Sequence, residues 1–239
     1  IMKGMKYFVA VLAGAMLFSS CNMNNTGKGA LIGTAAGGAA GTGIGAGIGA
    51  LINGKKGAKL GSAIGAAAGV AVGVTAGSLI GKKMDKAKAA AAALAQTETF
   101  TDANGLEGVK VTFDNGILFA VGKSALKSDA QTTLKNFAKN VLNVYTDCDV
   151  NIYGFASSDG SEATNLSLSQ ARANAVTSYL KSCGVADKQI KTTKGFGEDP
   201  QYLITDANGK ENMTASRRVE VYLYASEEMI KAAEAGTLK

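Results

Sequence analysis

The stretch NIYGFASSDGSEATNLSLSQARA, Asn151 to Ala173, decides the fold. Ile152 and Phe155 mark an apolar strand that is interrupted at Gly154 and gives way to a small polar loop, Ser157 to Gly160. Ser161 then predicts a helix N-cap, because its side chain can accept from an orphan N–H of the first turn. A strand, a loop and a helix in succession make a pocket. Asn165, Ser169 and Arg172 are spaced by four and three residues, which sets them on one helical stripe facing back over the loop. The opposite face of that helix reads as apolar.

Working outward, Val109 to Phe113 alternates as a strand, Asp114-Asn115-Gly116 is a turn signal, and Ile117 to Phe119 reads as a second short strand. A helix is predicted from Asp129 to Tyr145, with Leu134, Phe137, Ala138, Val141 and Leu142 on one side. The helix through Lys181 stops at Gly184, and strands follow at Ile190 to Phe196 and Val219 to Tyr224. The expected architecture is an α/β sandwich of βαβαββ order, with a mixed sheet and helices on one face. Residues 98–225 are assigned to it. Residues 226–239 read as an amphipathic helical tail.

Four blocks, in order, resemble one family: the loop Gly154-x-x-x-Ser158-x-Gly160, the run from Asn165 to Ala173, Gly195-Phe-Gly-Glu-Asp-Pro200, and Arg217-Arg218-Val219-Glu220. Together they resemble the OmpA-like peptidoglycan-binding domain, in its lipoprotein form. The resemblance implies a periplasmic module that grips the diaminopimelate of the stem peptide without covalent chemistry. In that family a loop Asp and the helix Arg hold the diaminopimelate end groups, and Arg172 sits where that Arg sits. A planar guanidinium on a rigid helix suits a carboxylate. Ser157 stands where the family has its Asp, and Asp159, two places on, is a candidate substitute for the charge. Phe155 and Ala156 replace the family's His and Thr, and Ser216 replaces its Asn. The implied binding set is Arg172, Asp159, Ser157, Asn165, Ser169 and Arg217, with the other closing arginine bracing the fold.

The N-terminal part reads differently. Lys3 and Lys6 precede an apolar run from Tyr7 to Phe18 and Ser19-Ser20-Cys21, the pattern of a secretory signal over residues 1–20. Cys21 after two small residues resembles a bacterial lipobox, so residues 21–28 are expected to be a lipidated N-terminus held in outer-membrane lipid. The alternative is a secreted chain cut nearby. Within residues 29–84, glycines stand at 29, 33, 37, 41, 45 and 49 and again at 57, 61, 65, 69, 73 and 77, a duplication offset by 28 residues. A glycine every fourth residue bares a groove along a helix and permits close helix packing. The expectation is a glycine-zipper hairpin that crosses a membrane and self-associates; the alternative is a Gly/Ala spacer. Residues 85–97 read as a helical linker.

Composition narrows the function. The chain of 239 residues contains no His, which excludes a Ser-His-Asp or Cys-His nucleophile and His-ligated zinc. Residues 1–98 carry ten Lys against Asp85 and Glu98, a net of +8, and the remainder is at −2. A basic N-terminal segment suits anionic lipid, whereas a nucleic-acid-binding domain needs a basic folded face. Cys148 and Cys183 fall near one sheet edge and are read either as a disulfide or as two thiols. No cofactor or metal is expected. The leading reading is a non-enzymatic outer-membrane lipoprotein that tethers membrane to wall; the second is a membrane-embedded glycine-zipper oligomer or pore located by a weak wall-binding domain. A hydrolase using Asp159 and Glu162 ranks last.

Overall fold

The computed structural model describes residues 73–102 and 104–238. The signal segment, Cys21 and the glycine repeats up to residue 72 lie outside the described residues. No helix among the described residues is long and apolar enough to cross a membrane.

Five strands form one mixed sheet in the order β1-β2-β5-β3-β4. They are β1 (Gln96–Thr101), β2 (Glu107–Asp114), β3 (Cys148–Phe155), β4 (Ile190–Gly195) and β5 (Arg218–Ala225). All neighbours are antiparallel except β3 and β4, which the helix between them makes parallel. The helices are α1 (Val74–Ala92), α2 (Asn115–Leu118), α3 (Ser128–Phe137), α4 (Glu162–Ser182), α5 (Met213–Ser216) and α6 (Glu227–Glu234). From β2 onward the predicted βαβαββ order holds.

Register explains the core. Val109, Leu223 and Val150 lie in one row across β2, β5 and β3, and Val111, Val221 and Ile152 lie in the next. All six are fully buried under the helices. The third row runs Phe113, Val219, Gly154, Gly195, ending in two glycines where α4 descends onto the sheet. A Cβ on Gly154 would stand 2.2 Å from the Ser169 carbonyl oxygen, and one on Gly195 would stand 2.2 Å from the Gln170 nitrogen. Both positions therefore require glycine, because backbone meets backbone there. The other sheet face gathers Tyr153, Phe155, Phe196, Tyr202 and Tyr222 in a second aromatic cluster.

The structure corrects several expectations. Ile117 to Phe119 is not a strand: Asp114 caps α2 by accepting from the Gly116 N–H, and the chain turns helically there. The strand that the sequence does not predict is β1, whose Gln96 and Thr97 fall in the expected linker and whose remaining residues open the expected domain. Residues 85–97 are not a free linking helix either. One helix, α1, spans the boundary drawn at 84, and its Ala76, Ile80, Met84, Ala87 and Ala91, spaced by three or four residues, are all buried. Helix α3 stops at Phe137 and continues as a π-helical turn, Ala138–Leu142. The expected apolar back of α4 is absent: Asn165, Ser169, Arg172, Ala173, Val176 and Leu180 make one buried stripe, polar at its first end and apolar at its second. Leu166, on the outer face, is 51% exposed. Cys148 and Cys183 are free thiols, the first inside the core and the second at its rim.

Candidate functional site

The predicted N-cap is present: Ser161 Oγ accepts from the Thr164 N–H, which starts α4 immediately after the loop. Asn165, one turn in, then organises that loop. Its Nδ2 donates to the carbonyls of Ser157 at 3.1 Å and Asp159 at 3.0 Å, and to the carboxylate of Glu198. Ser169 Oγ donates to Leu166 O and accepts from the Gly197 N–H, both at 2.9 Å. Gly195-Phe196-Gly197 is the expected turn beside the loop: Ala156 N–H donates to Gly197 O, and Gly197 takes φ +62°. Asn165 and Ser169 thus position the loop and the turn with the groups that sequence reading reserved for ligand.

Arg172, two turns along, is only 3% exposed. Its Nε donates to the Lys123 carbonyl at 3.0 Å, and its guanidinium lies 5.4 Å from the centre of the Phe119 ring. Burial, and then the neighbouring Arg217 charge, lower its pKa from the ordinary value. Arg217 Nη1 donates to Ser157 Oγ at 3.1 Å, so the loop, α4 and the end of α5 meet here. Among the described residues no carboxylate lies within 4 Å of either guanidinium. Arg172 and Arg217 are adjacent cations with no carboxylate in ion-pair contact, an arrangement that can take an anion, and their planar forks suit a carboxylate.

The other closing arginine is the brace. Arg218 pairs with Glu220 at 2.7 Å, donates to the carbonyls of Tyr202 and Ser216, and lies 4.1 Å from the centre of the Phe155 ring. Ser216 supplies a hydroxyl that accepts from the Ile204 N–H at 3.0 Å. Of the proposed binding set, Ser157, Asn165, Ser169, Arg172 and Arg217 are brought together. Asp159 joins only through its carbonyl; its side chain is exposed and forms no hydrogen bond or ion pair among the described residues.

Sequence reading missed Phe119, Lys123, Glu198 and Glu211. Glu211 accepts from the Ser158 N–H at 3.3 Å on both carboxylate oxygens, and from Ser158 Oγ at Oε2. Burial works to raise its pKa, but hydrogen bonds from Ser158 and Ser216 and the Arg217 charge hold it below the ordinary value. These residues lie in irregular connections, where no periodicity fixes position. Only Glu198 fell within a block quoted for the resemblance. A cleft of about 520 Å³ between β1, β2 and α5 is lined in part by Arg217. Among the described residues no group of three His, Cys, Asp or Glu side chains is gathered for a metal ion.

The model of the OmpA family matches residues 118–217. A probable lipoprotein, YiaD, of Escherichia coli (strain K12) is 33% identical over 117 residues, covering 49% of this chain and 52% of that one. The peptidoglycan-associated lipoprotein of Mesorhizobium japonicum is 31% identical over 118 residues, 49% of this chain and 64% of that one. The chain therefore spans less than two thirds of the length of either relative. The crystal structure of a putative MotB-like protein from Desulfovibrio vulgaris covers 61% of this chain and 88% of its own, at 21% identity and a TM-score of 0.48. Residues 118–217 thus match the OmpA family, and over about half of its length the chain is similar to a probable lipoprotein and to a peptidoglycan-associated lipoprotein.

Proposed function

We propose that this domain binds peptidoglycan non-covalently, holding a diaminopimelate carboxylate of the stem peptide on Arg172 and Arg217, and that the chain tethers the outer membrane to the wall. The observation that carries the reading is the arginine pair, which has no carboxylate within ion-pair distance among the described residues. Desolvating a guanidinium without a counter-charge is costly, and the charge is retained where a ligand supplies the missing anion. The Lys123 carbonyl and the Phe119 ring fix Arg172 before any ligand arrives, which lowers the entropy lost on binding. Asn165 and Ser169 hold the loop and turn in place around it.

Similarity to a probable lipoprotein and to a peptidoglycan-associated lipoprotein supports the wider reading. In it, residues 1–20 are a signal peptide, Cys21 is acylated, and the domain faces the periplasm from the outer membrane. The protein is a binding module and catalyses no reaction. Peptidoglycan sacculi should co-sediment the full-length chain in detergent, and Arg172→Ala should remove most of it from the pellet. Equal sedimentation of a folded Arg172→Ala variant would reject the assigned site.

A further inference from the structure

Accepting the wall-binding reading above, one charge is missing from the site. Diaminopimelate presents ammonium groups beside its carboxylates, and the residue at the loop position assigned to an acid is Ser157. Its hydroxyl accepts from Arg217, so it is oriented toward a cation that the protein itself supplies.

We propose that Glu211 is the residue that receives the ligand's ammonium group, which makes the site specific for a free α-amino carboxylate. Glu211 arrives from the connection between β4 and β5, where it bridges to Thr205, and places its carboxylate over Ser158, the residue next to Ser157. Its Oε2 takes the short bond from Ser158 Oγ, while the contact of Oε1 with the Ser158 N–H is long at 3.3 Å. An ionised carboxylate offers about four acceptor positions, and the Ser158 N–H, the Ser158 hydroxyl and the Ser216 hydroxyl use about three of them, so about one remains for a ligand. No Lys or Arg nitrogen among the described residues lies within 4 Å of it. The Arg217 charge acts on it, so one acid adjoins the arginine pair. Two cations and one anion on adjoining groups match an adjacent carboxylate and ammonium better than a plain anion.

A purely structural role is the competing explanation, since Glu211 also latches the loop through Ser158. The test separates the two by ligand chemistry. Binding of the full-length chain in detergent to free diaminopimelate and to diaminopimelate acetylated on both amines is measured by calorimetry, for wild type, Glu211→Gln and Ser158→Ala. Gln keeps an oxygen acceptor for Ser158, and thermal melts confirm that each variant is folded. Wild type should prefer the free amine by about tenfold or more, the scale of one charge-assisted hydrogen bond. Glu211→Gln should lose that preference while still binding the acetylated form, and Ser158→Ala should keep it. An unchanged preference in Glu211→Gln, or an equal weakening toward both ligands, overturns the assignment while leaving Arg172-dependent sacculus binding intact. Failure of wild type to bind sacculi removes the underlying reading, and this assignment with it.

Discussion

Substituting Gly154 by Ala tests how the fold sets the site. The added methyl would meet the Ser169 carbonyl oxygen at 2.2 Å and its carbon at 3.0 Å. Ordinary contact begins near 3.4 Å, so the gap must open by about 1.2 Å, and no rotamer change relieves a clash with backbone. Overpacking of this kind costs about 1–3 kcal/mol. For a domain of this size that lowers Tm by roughly 3–10 °C. The displaced segment carries Asn165, Ser169 and Arg172, so sacculus affinity should fall by about tenfold as the arginine leaves its geometry. Differential scanning calorimetry and co-sedimentation, both on the full-length chain, read the two effects. A Gly154→Ala variant that melts within 1 °C of wild type and binds equally would refute the claim that direct backbone contact seats α4 on the sheet.

Three further outcomes are expected. Burial pushes the Asp102 carboxyl up to about 7 from its ordinary 3.8, against hydrogen bonds from Leu106 and Asn104. The native state therefore favours the protonated form, and this contribution is complete below about pH 4 and lost as pH rises through about 7, by up to about 4 kcal/mol. Asp102→Asn keeps an acceptor for both N–H groups, so it should raise Tm at pH 8 and flatten the pH dependence; a wild-type Tm that stays level from pH 5 to 8 would contradict this. Asn165→Ala strands the Ser157 and Asp159 carbonyls and should cost about 1–3 kcal/mol in urea unfolding, with weaker sacculus binding. A fragment beginning at Glu98 should be markedly less stable than one beginning at Gly73, because it loses Ile80, Met84, Ala87 and Ala91 from the core. Matching urea midpoints would show α1 to be dispensable.

Where a local rule determined conformation, the sequence was legible. Ser161 caps α4 as its side chain predicts, and the order from β2 onward follows from alternation and turn signals. Tertiary context decided the rest. The strand β1, QTETFT, carries little apolar signal because it is an edge strand, and it is fixed by pairing with β2. The alanines of α1 read as a neutral stalk, yet small side chains are what let that helix pack closely on the sheet. In the site, helical spacing brought Asn165, Ser169 and Arg172 together but did not tell a ligand contact from a brace; hydrogen-bond partners decide that. Glu211 and the Lys123 carbonyl were illegible because they reach the site through irregular chain, 53 and 49 residues from their partners.

The most direct measurement of the central claim is competition. Full-length protein held on peptidoglycan sacculi is challenged with free diaminopimelate, with 1,5-diaminopentane, which shares both amines but has no carboxylate, and with buffer. If the arginine pair holds a diaminopimelate carboxylate, diaminopimelate releases the wild-type protein in proportion to its concentration, the diamine releases far less, and Arg172→Ala is not retained at the outset. Retention unaffected by diaminopimelate, or retention of folded Arg172→Ala equal to wild type, would contradict the account.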